Sequence, residues 1–165
     1  MRVSTKIGDV FSVKIDEHSK KYFQLIAYDL TQLNSDVIRA FKKIYPIDAN
    51  PDLSDIINGE VEFYAHCITK WGVKLGYWEK AGSIKELGLL KHILFRDTTD
   101  YGLYPEQKII SDNWYVWNIN EKFRDVGKLV DENCKAEIGL IINPESIVYR
   151  MRTGEYDFKF YPDFA

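Results

Sequence analysis

The sequence predicts a β-rich α+β fold, in which a strongly curved, partly open, barrel-like antiparallel sheet is covered by two or three short helices. Three observations support this prediction. The chain has 165 residues, the usual size of one domain, so residues 1–165 are expected to form a single globular domain. Several segments alternate apolar and polar side chains with the period of a strand. Aromatic residues make up 15% of the chain, and they favour pleated, half-buried surfaces.

The N-terminal segment predicts a β-hairpin. Residues 9–15 place Phe11, Val13 and Ile15 on one face, as a strand with one wet face requires. A polar turn follows, and the alternation resumes over residues 22–28. Residues 34–45 fit two structures, because their apolar spacing favours a helix whereas residues 36–42 also suit a β-branched strand.

The middle of the chain predicts a short helix followed by a strand. The helix begins after Pro51, with Asn50 or Asp52 near its start, and Asn58 and Gly59 close it. Residues 60–69, which are rich in Val, Phe, Tyr and Ile, predict the strand. The density of Gly and Trp over residues 70–82 then predicts a tight turn leading into another short strand.

The second half predicts two short strands and one well-marked helix. The strands are residues 91–96 and 114–119, with a surface loop over residues 97–112 between them. The helix has Asn143 as N-cap, Pro144 at its first position and Gly154 as its stop. The aromatic tail that follows is expected to pack back onto the protein.

Charge and cysteine content exclude several classes of protein. The chain has 22 Lys and Arg against 25 Asp and Glu, which gives a net charge of -3. The protein as a whole is therefore expected to have no electrostatic attraction to a phosphate backbone. Two cysteines cannot form a disulfide framework, and the N-terminus lacks the apolar run of a secretory signal. We therefore expect a cytoplasmic protein that binds neither nucleic acid nor membranes.

No catalytic or metal-binding pattern emerges from the sequence. The three histidines are too scattered to match a metal-ligand spacing, and no phosphate-loop or nucleophile-elbow motif occurs. His66 and Cys67 are adjacent in a strand and point to opposite faces, so one is expected in the core and the other at the surface. The sequence therefore predicts no enzymatic activity, no cofactor and no metal.

Two aromatic clusters are the remaining candidates for recognition, although core packing is the more frequent role of such residues. Each cluster is suited either to a ligand pocket or to a protein-binding hot spot. Trp114 and Tyr115 must face opposite sides of their strand. The clusters are Trp71, Tyr77 and Trp78, and Trp114, Tyr115 and Trp117.

Three segments resemble the immunity protein 26 family of bacterial polymorphic toxin systems. They are Gly8-Asp9-Val10-Phe11, which opens the hairpin, residues 61–64, and residues 72–82. The resemblance covers about the first half of the chain and, more weakly, the C-terminal helix. It implies a small, cytoplasmic, non-enzymatic protein that neutralises a toxin domain by binding it, and it favours a strand over residues 36–42.

The first functional hypothesis is accordingly a toxin inhibitor. Acidic side chains would attract a basic toxin surface, such as the cleft of a nuclease, and aromatic side chains would then anchor the complex. The sequence leaves open the toxin's identity, the contact surface and the oligomeric state. The expected contact residues are Glu60, Glu62, Asp97, Asp100, Tyr101, Tyr104 and Trp114.

Two further hypotheses compete with toxin inhibition. The stronger is a small-molecule-binding domain or small enzyme with an aromatic-lined pocket, formed by Trp71, Trp78 or Trp117 together with Glu62 and His66. The weaker is a small nucleic-acid-associated barrel, which the hairpin opening suggests and the net charge opposes.

Overall fold

In the computed structural model, which describes residues 2–104 and 106–165, two β-sheets and three short α-helices form an α+β fold. The first sheet has the order β5-β3-β2-β1-β6, with β4 paired to β2. Its strands are β1 (Asp9–Lys14), β2 (Ser19–Asp29), β3 (Ser35–Phe41), β4 (Tyr45–Pro46), β5 (Val61–Cys67) and β6 (Glu79–Ser83). The second sheet has the order β10-β7-β8-β9. Its strands are β7 (Leu94–Thr98), β8 (Trp114–Asn118), β9 (Arg124–Gly127) and β10 (Glu137–Ile138). The helices are α1 (Leu53–Ile57), α2 (Thr69–Lys74) and α3 (Pro144–Thr153), and a 3-10 helix spans Asp131–Lys135.

The predicted α+β class and the N-terminal hairpin are confirmed. Strands β1 and β2 are antiparallel neighbours, and the rings of Phe11 and Phe23 stack with centroids 5.1 Å apart. The path of the first sheet ends at β5 and β6, which do not pair with each other, so the described strands do not form a closed barrel. The strongly curved, barrel-like shape therefore stays a prediction.

Residues 35–41 form a strand, so the helix that their apolar spacing favoured is wrong. Strand β3 lies between β2 and β5 and pairs with both. Six of its seven residues are buried, because the sheet is covered on both faces. A strand buried on both faces loses the alternation that distinguishes it from a helix.

The first sheet is sandwiched between α3 and the second sheet. One face packs Phe23 and Leu25 against Ile147 and Met151 of α3. The other face packs residues of β2 and β3 against the second sheet, with Phe95 among the contacts. This arrangement buries the whole of β2 from Lys21 to Ala27.

The local signals for α1 and α3 are confirmed, whereas α2 was not predicted. Asn143 Oδ1 accepts a hydrogen bond from the backbone N–H of Ser146 at 2.9 Å, and Gly154 ends α3 with φ of 91°. The aromatic tail packs back, with Tyr156 buried against the core. Residues 69–74 form a helix where a tight turn was expected, and β6 follows it.

In the described part of the chain, no helix has the length and apolar character needed to cross a membrane.

Candidate functional site

Glu60 and Glu62, two of the acidic residues expected to contact a partner, lie in different surroundings. Glu62 pairs with Lys21 Nζ at 2.7 Å, and both side chains are largely buried. Lys21 Nζ also donates to the carbonyl oxygen of Met151 at 3.0 Å. Glu60 precedes β5, is exposed and pairs with Lys42 at 2.9 Å. The expectation that Glu62 offers its carboxylate to a partner is wrong, because its charge is neutralised inside the fold.

Three tyrosine hydroxyls surround the Asp97 carboxylate. Tyr101 donates to its Oδ1 at 2.7 Å, and Tyr115 donates to its Oδ2 at 3.3 Å. The single hydroxyl hydrogen of Tyr161 is shared between the carbonyl oxygen of Arg96 at 2.9 Å and Asp97 Oδ1 at 3.2 Å. Burial and the neighbouring Asp97 carboxylate raise the pKa of Tyr115 to about 12. Asp97 therefore ties the start of the surface loop to β8 and to the C-terminal tail.

Asp100 is held in the same loop by two further donors. Ser111 Oγ and Asn113 Nδ2 both donate to its Oδ2 at 2.9 Å. These hydrogen bonds, the one from Asn113 most of all, hold the pKa of Asp100 below its ordinary value. Asp100 keeps its negative charge, so its role in attracting a basic partner stays a prediction.

The three aromatic residues expected to anchor a partner divide into two exposed side chains and one core residue. Tyr101 and Tyr104 are exposed, but only 1% of Trp114 is accessible. Trp114 Nε1 donates to the carbonyl oxygen of Ser111 at 2.8 Å inside a hydrophobic cluster. Trp114 as a surface anchor is therefore wrong. The expected opposite orientation of Trp114 and Tyr115 is confirmed, since they pack in different clusters.

The aromatic pocket of the small-molecule hypothesis is not assembled among the described residues. Trp78 and Trp117 are both buried, in different clusters. Glu62 is paired with Lys21, and Trp71 lies at the surface with 49% of its area exposed. The residues proposed to share one pocket therefore lie in separate parts of the fold.

His66 belongs to a buried polar centre that joins the two sheets. Its Nε2 lies 2.8 Å from Asp29 Oδ2, and Trp117 Nε1 donates to the same oxygen at 2.9 Å. The backbone N–H of Asn120 donates to Asp29 Oδ1 at 3.1 Å. Burial opposes ionisation of Asp29, but these three donors hold its pKa below the ordinary value. With Asp29 ionised, His66 Nε2 must be the protonated nitrogen and donates the bond.

The adjacent His66 and Cys67 are both fully buried, so the expectation that one lies at the surface is wrong. The imidazole contacts Phe95 of the second sheet at a centroid distance of 4.2 Å, whereas Cys67 packs in the cluster under α3. Burial raises the pKa of the Cys67 thiol well above its ordinary value. A thiolate nucleophile with His66 as its base is therefore not formed.

An exposed apolar surface lies on α2 and the segment that leads into α3. We call it the Trp71 patch, and it consists of Ile68, Trp71, Leu75, Ile141 and Pro144. Its first three residues follow the i, i+3, i+7 spacing of one helix face. Sequence reasoning singled out Trp71 but missed its neighbours, because this spacing is informative only where a helix is expected.

Helix α2 is held so that its Trp71 face points away from the core. Asp36 of β3 accepts bonds from the backbone N–H of Thr69 at 3.0 Å and from Thr69 Oγ1 at 2.6 Å. On the buried side, a Cβ added at Gly72 would lie 2.0 Å from the Trp78 ring, so only glycine permits this approach. The contact from Asp36 of β3 and the close packing of Trp78, which directly precedes β6, decide which face of α2 reaches solvent.

A second surface feature is an open cleft of about 680 Å³ between β10, α3 and the C-terminal tail, which we call the tail cleft. Arg150 lies 4.2 Å from the ring centroid of Phe63 and pairs with Glu137 at 2.9 Å. Arg96 packs over the ring of Tyr161, and burial lowers the pKa of its guanidinium. The cleft thus combines arginines, carboxylates and aromatic walls.

Within the described ranges, no group of three or more His, Cys, Asp or Glu side chains is placed to hold a metal ion. Comparisons with models of known protein families, with curated proteins and with solved structures find no match.

Proposed function

We propose that this protein is a non-enzymatic immunity-type protein that binds and neutralises a toxin domain of a bacterial polymorphic toxin system. The observation that carries the proposal is the Trp71 patch, an exposed apolar surface built on contacts that orient α2. The similarity of three segments to the immunity protein 26 family supports it. A cytoplasmic location, a single domain over residues 1–165 and a strongly curved, barrel-like first sheet belong to the same proposal.

The composition of the Trp71 patch favours protein binding. Contiguous exposed apolar patches often mark contact surfaces, and tryptophan is enriched among the residues that dominate binding energy. Trp71 is only half exposed, so its packed half holds the ring in place and little side-chain entropy is lost on binding. The patch therefore suits a preorganised recognition surface.

The surface loop offers a second region for the same partner. Asp97, Asp100, Tyr101 and Tyr104 remain candidates there, because hydrogen bonds hold the pKa of Asp100 below its ordinary value and both aromatic rings are exposed. Glu60 also remains exposed, next to Lys42.

Co-expression with the product of the neighbouring toxin gene tests the proposal. We expect growth to be rescued and a complex to co-purify. Trp71→Ala should weaken the complex about 30-fold or more, the effect of losing a hot-spot residue. Phe123→Ala is a matched control, since Phe123 is also 49% exposed but lies outside the patch. Failure of the wild-type protein to bind any neighbouring gene product would reject the proposal.

The tail cleft supports small-molecule binding as a second candidate function. Its volume lies within the range of roughly 300–1,000 Å³ that is typical of ligand sites. Arg150 is already paired with Glu137, but Arg96 forms no ion pair among the described residues, and its guanidinium, packed on aromatic rings, suits recognition of a carboxylate or phosphate group. A small molecule retained through purification and detected by native mass spectrometry, together with no toxin binding, would favour this function.

A further inference from the structure

We propose that the Trp71 patch receives an acidic segment of the partner protein. One large apolar side chain of that segment fills the pocket of the patch, and neighbouring aspartate or glutamate side chains pair with Lys70 and Lys74. This inference rests on the proposed function for the claim that the partner is a toxin domain.

The helical geometry of α2 places two lysines beside the apolar face. Successive residues of a helix are rotated by about 100°, so Trp71 and Leu75, the residue that directly follows α2, share one narrow face, and Ile68, which precedes α2 in an extended conformation, lines the same pocket. Lys70 and Lys74 are four residues apart and therefore share the next face, and both are exposed. The other residues of α2 are uncharged, so this side of the patch has a positive edge.

The two lysines of that edge form no ion pair within the described residues. Neither Lys70 nor Lys74 is among the residues that form ion pairs there. Like charges four residues apart on a helix repel each other, so a carboxylate brought between them is stabilising. Glu145, which follows Pro144 in the first turn of α3, is exposed and favours a neutral or basic neighbour.

The pocket within the patch fits one apolar side chain. It has a volume of about 210 Å³ and is lined by apolar side chains, with the buried Ile142 among them. The one polar side chain in its lining, Asn143, already accepts the backbone hydrogen bond that caps α3. The pocket therefore accepts a large aliphatic or aromatic side chain better than a polar one.

The acidic residues singled out in the sequence indicated a basic partner surface. The two lysines beside the Trp71 patch instead indicate an acidic partner surface at this patch. A basic nuclease cleft would be repelled by the two lysines and is not expected to cover this patch. The inferred contact on the toxin is therefore an acidic and apolar segment away from any basic catalytic cleft.

Selection of random peptides displayed on phage, with the full-length wild-type protein immobilised, tests this inference without knowledge of the toxin. We expect enriched peptides to combine a large aliphatic or aromatic residue with adjacent aspartate or glutamate. The Trp71→Ala variant should retain these peptides at least about tenfold less than the wild-type protein does. Raised salt should weaken their binding to the wild-type protein. Leu75→Ser provides a second variant of the same face if Trp71→Ala folds poorly.

Charge variants complete the test. The double variant Lys70→Glu and Lys74→Glu should lose the enriched peptides, whereas Glu145→Gln should retain them. Enriched peptides without an acidic excess, enrichment that does not depend on Trp71 or Leu75, or no enrichment at all would overturn the inference. Growth rescue by co-expression is measured separately, so loss of peptide binding and loss of toxin neutralisation are distinguishable.

Discussion

Replacing Asp29 by alanine should remove the central hydrogen-bond acceptor between the two sheets. In the wild-type protein, the Asp29 carboxylate accepts from His66 Nε2, Trp117 Nε1 and the backbone N–H of Asn120, at distances from 2.8 to 3.1 Å. Asp29 and His66 are fully buried, and Trp117 is 1% exposed. The substitution leaves the buried donors of His66 and Trp117 without a partner, whereas the N–H of the exposed Asn120 can bond to water.

The expected cost follows from the number of donors that lose their partner. A buried donor left unsatisfied costs about 1–3 kcal/mol, and Asp29→Ala leaves two buried side-chain donors, those of His66 and Trp117, without a partner. Some relaxation reduces the sum, so we expect a loss of about 4 kcal/mol in the free energy of unfolding, within the range of about 3–5 kcal/mol for breaking a buried pair. This is a large part of the stability of an ordinary domain.

Urea denaturation followed by circular dichroism at neutral pH measures this loss. Asp125→Ala is the matched control, because Asp125 is exposed on β9 and its removal should leave the midpoint unchanged. Hydrogen exchange should also accelerate in both β2 and β8, since Asp29 joins them. A loss below about 1 kcal/mol would refute the argument that the donors depend on Asp29.

The pH dependence gives an independent check with a defined sign. The pKa of Asp29 is lower in the folded protein than in the unfolded chain, so its ionisation contributes stability that is fully present above the unfolded value of about 4. That contribution is lost as pH falls through the folded value. The difference in stability between wild type and Asp29→Ala should therefore stay constant near neutral pH and shrink in acid.

Three further predictions test individual contacts. Asn143→Ala removes the cap of α3 and should lower stability by about 1 kcal/mol in urea denaturation; an unchanged midpoint would contradict the cap. Gly72→Ala places a Cβ 2.0 Å from the Trp78 ring and should lower the stability by about 1–3 kcal/mol, seen as a lower melting temperature; an unchanged melting temperature would contradict this close approach. Glu62→Ala leaves the buried ammonium group of Lys21 without its carboxylate partner and should lower the free energy of unfolding by about 3 kcal/mol. Glu60→Ala removes an exposed ion pair and should leave the melting temperature unchanged. Equal effects of the two substitutions would refute the difference in burial.

Much of the first half and the C-terminal helix could be predicted because their signals are local. Alternation over a few residues determines β1 and β2, and capping residues determine the ends of α3. The candidate site was predicted less well. Trp71 was singled out among several aromatic residues, but Trp114 and Glu62 were placed at the surface and lie inside.

These errors share a physical cause, which is that burial and pairing depend on residues distant in the chain. Trp114 is covered by the C-terminal tail, and Glu62 is neutralised by Lys21, 41 residues away. Likewise, β3 is a strand because β2 and β5 flank it.

By itself, the sequence determined the α+β class, the N-terminal hairpin and the limits of α1 and α3. The tertiary structure decided which aromatic residues reach solvent, since Asp36 and Trp78 hold α2 with Trp71 outward. It also decided that His66 and Asp29 meet between two sheets. Local patterns fix backbone conformation within a few residues, whereas the face that each element buries depends on contacts that form only when distant segments pack together.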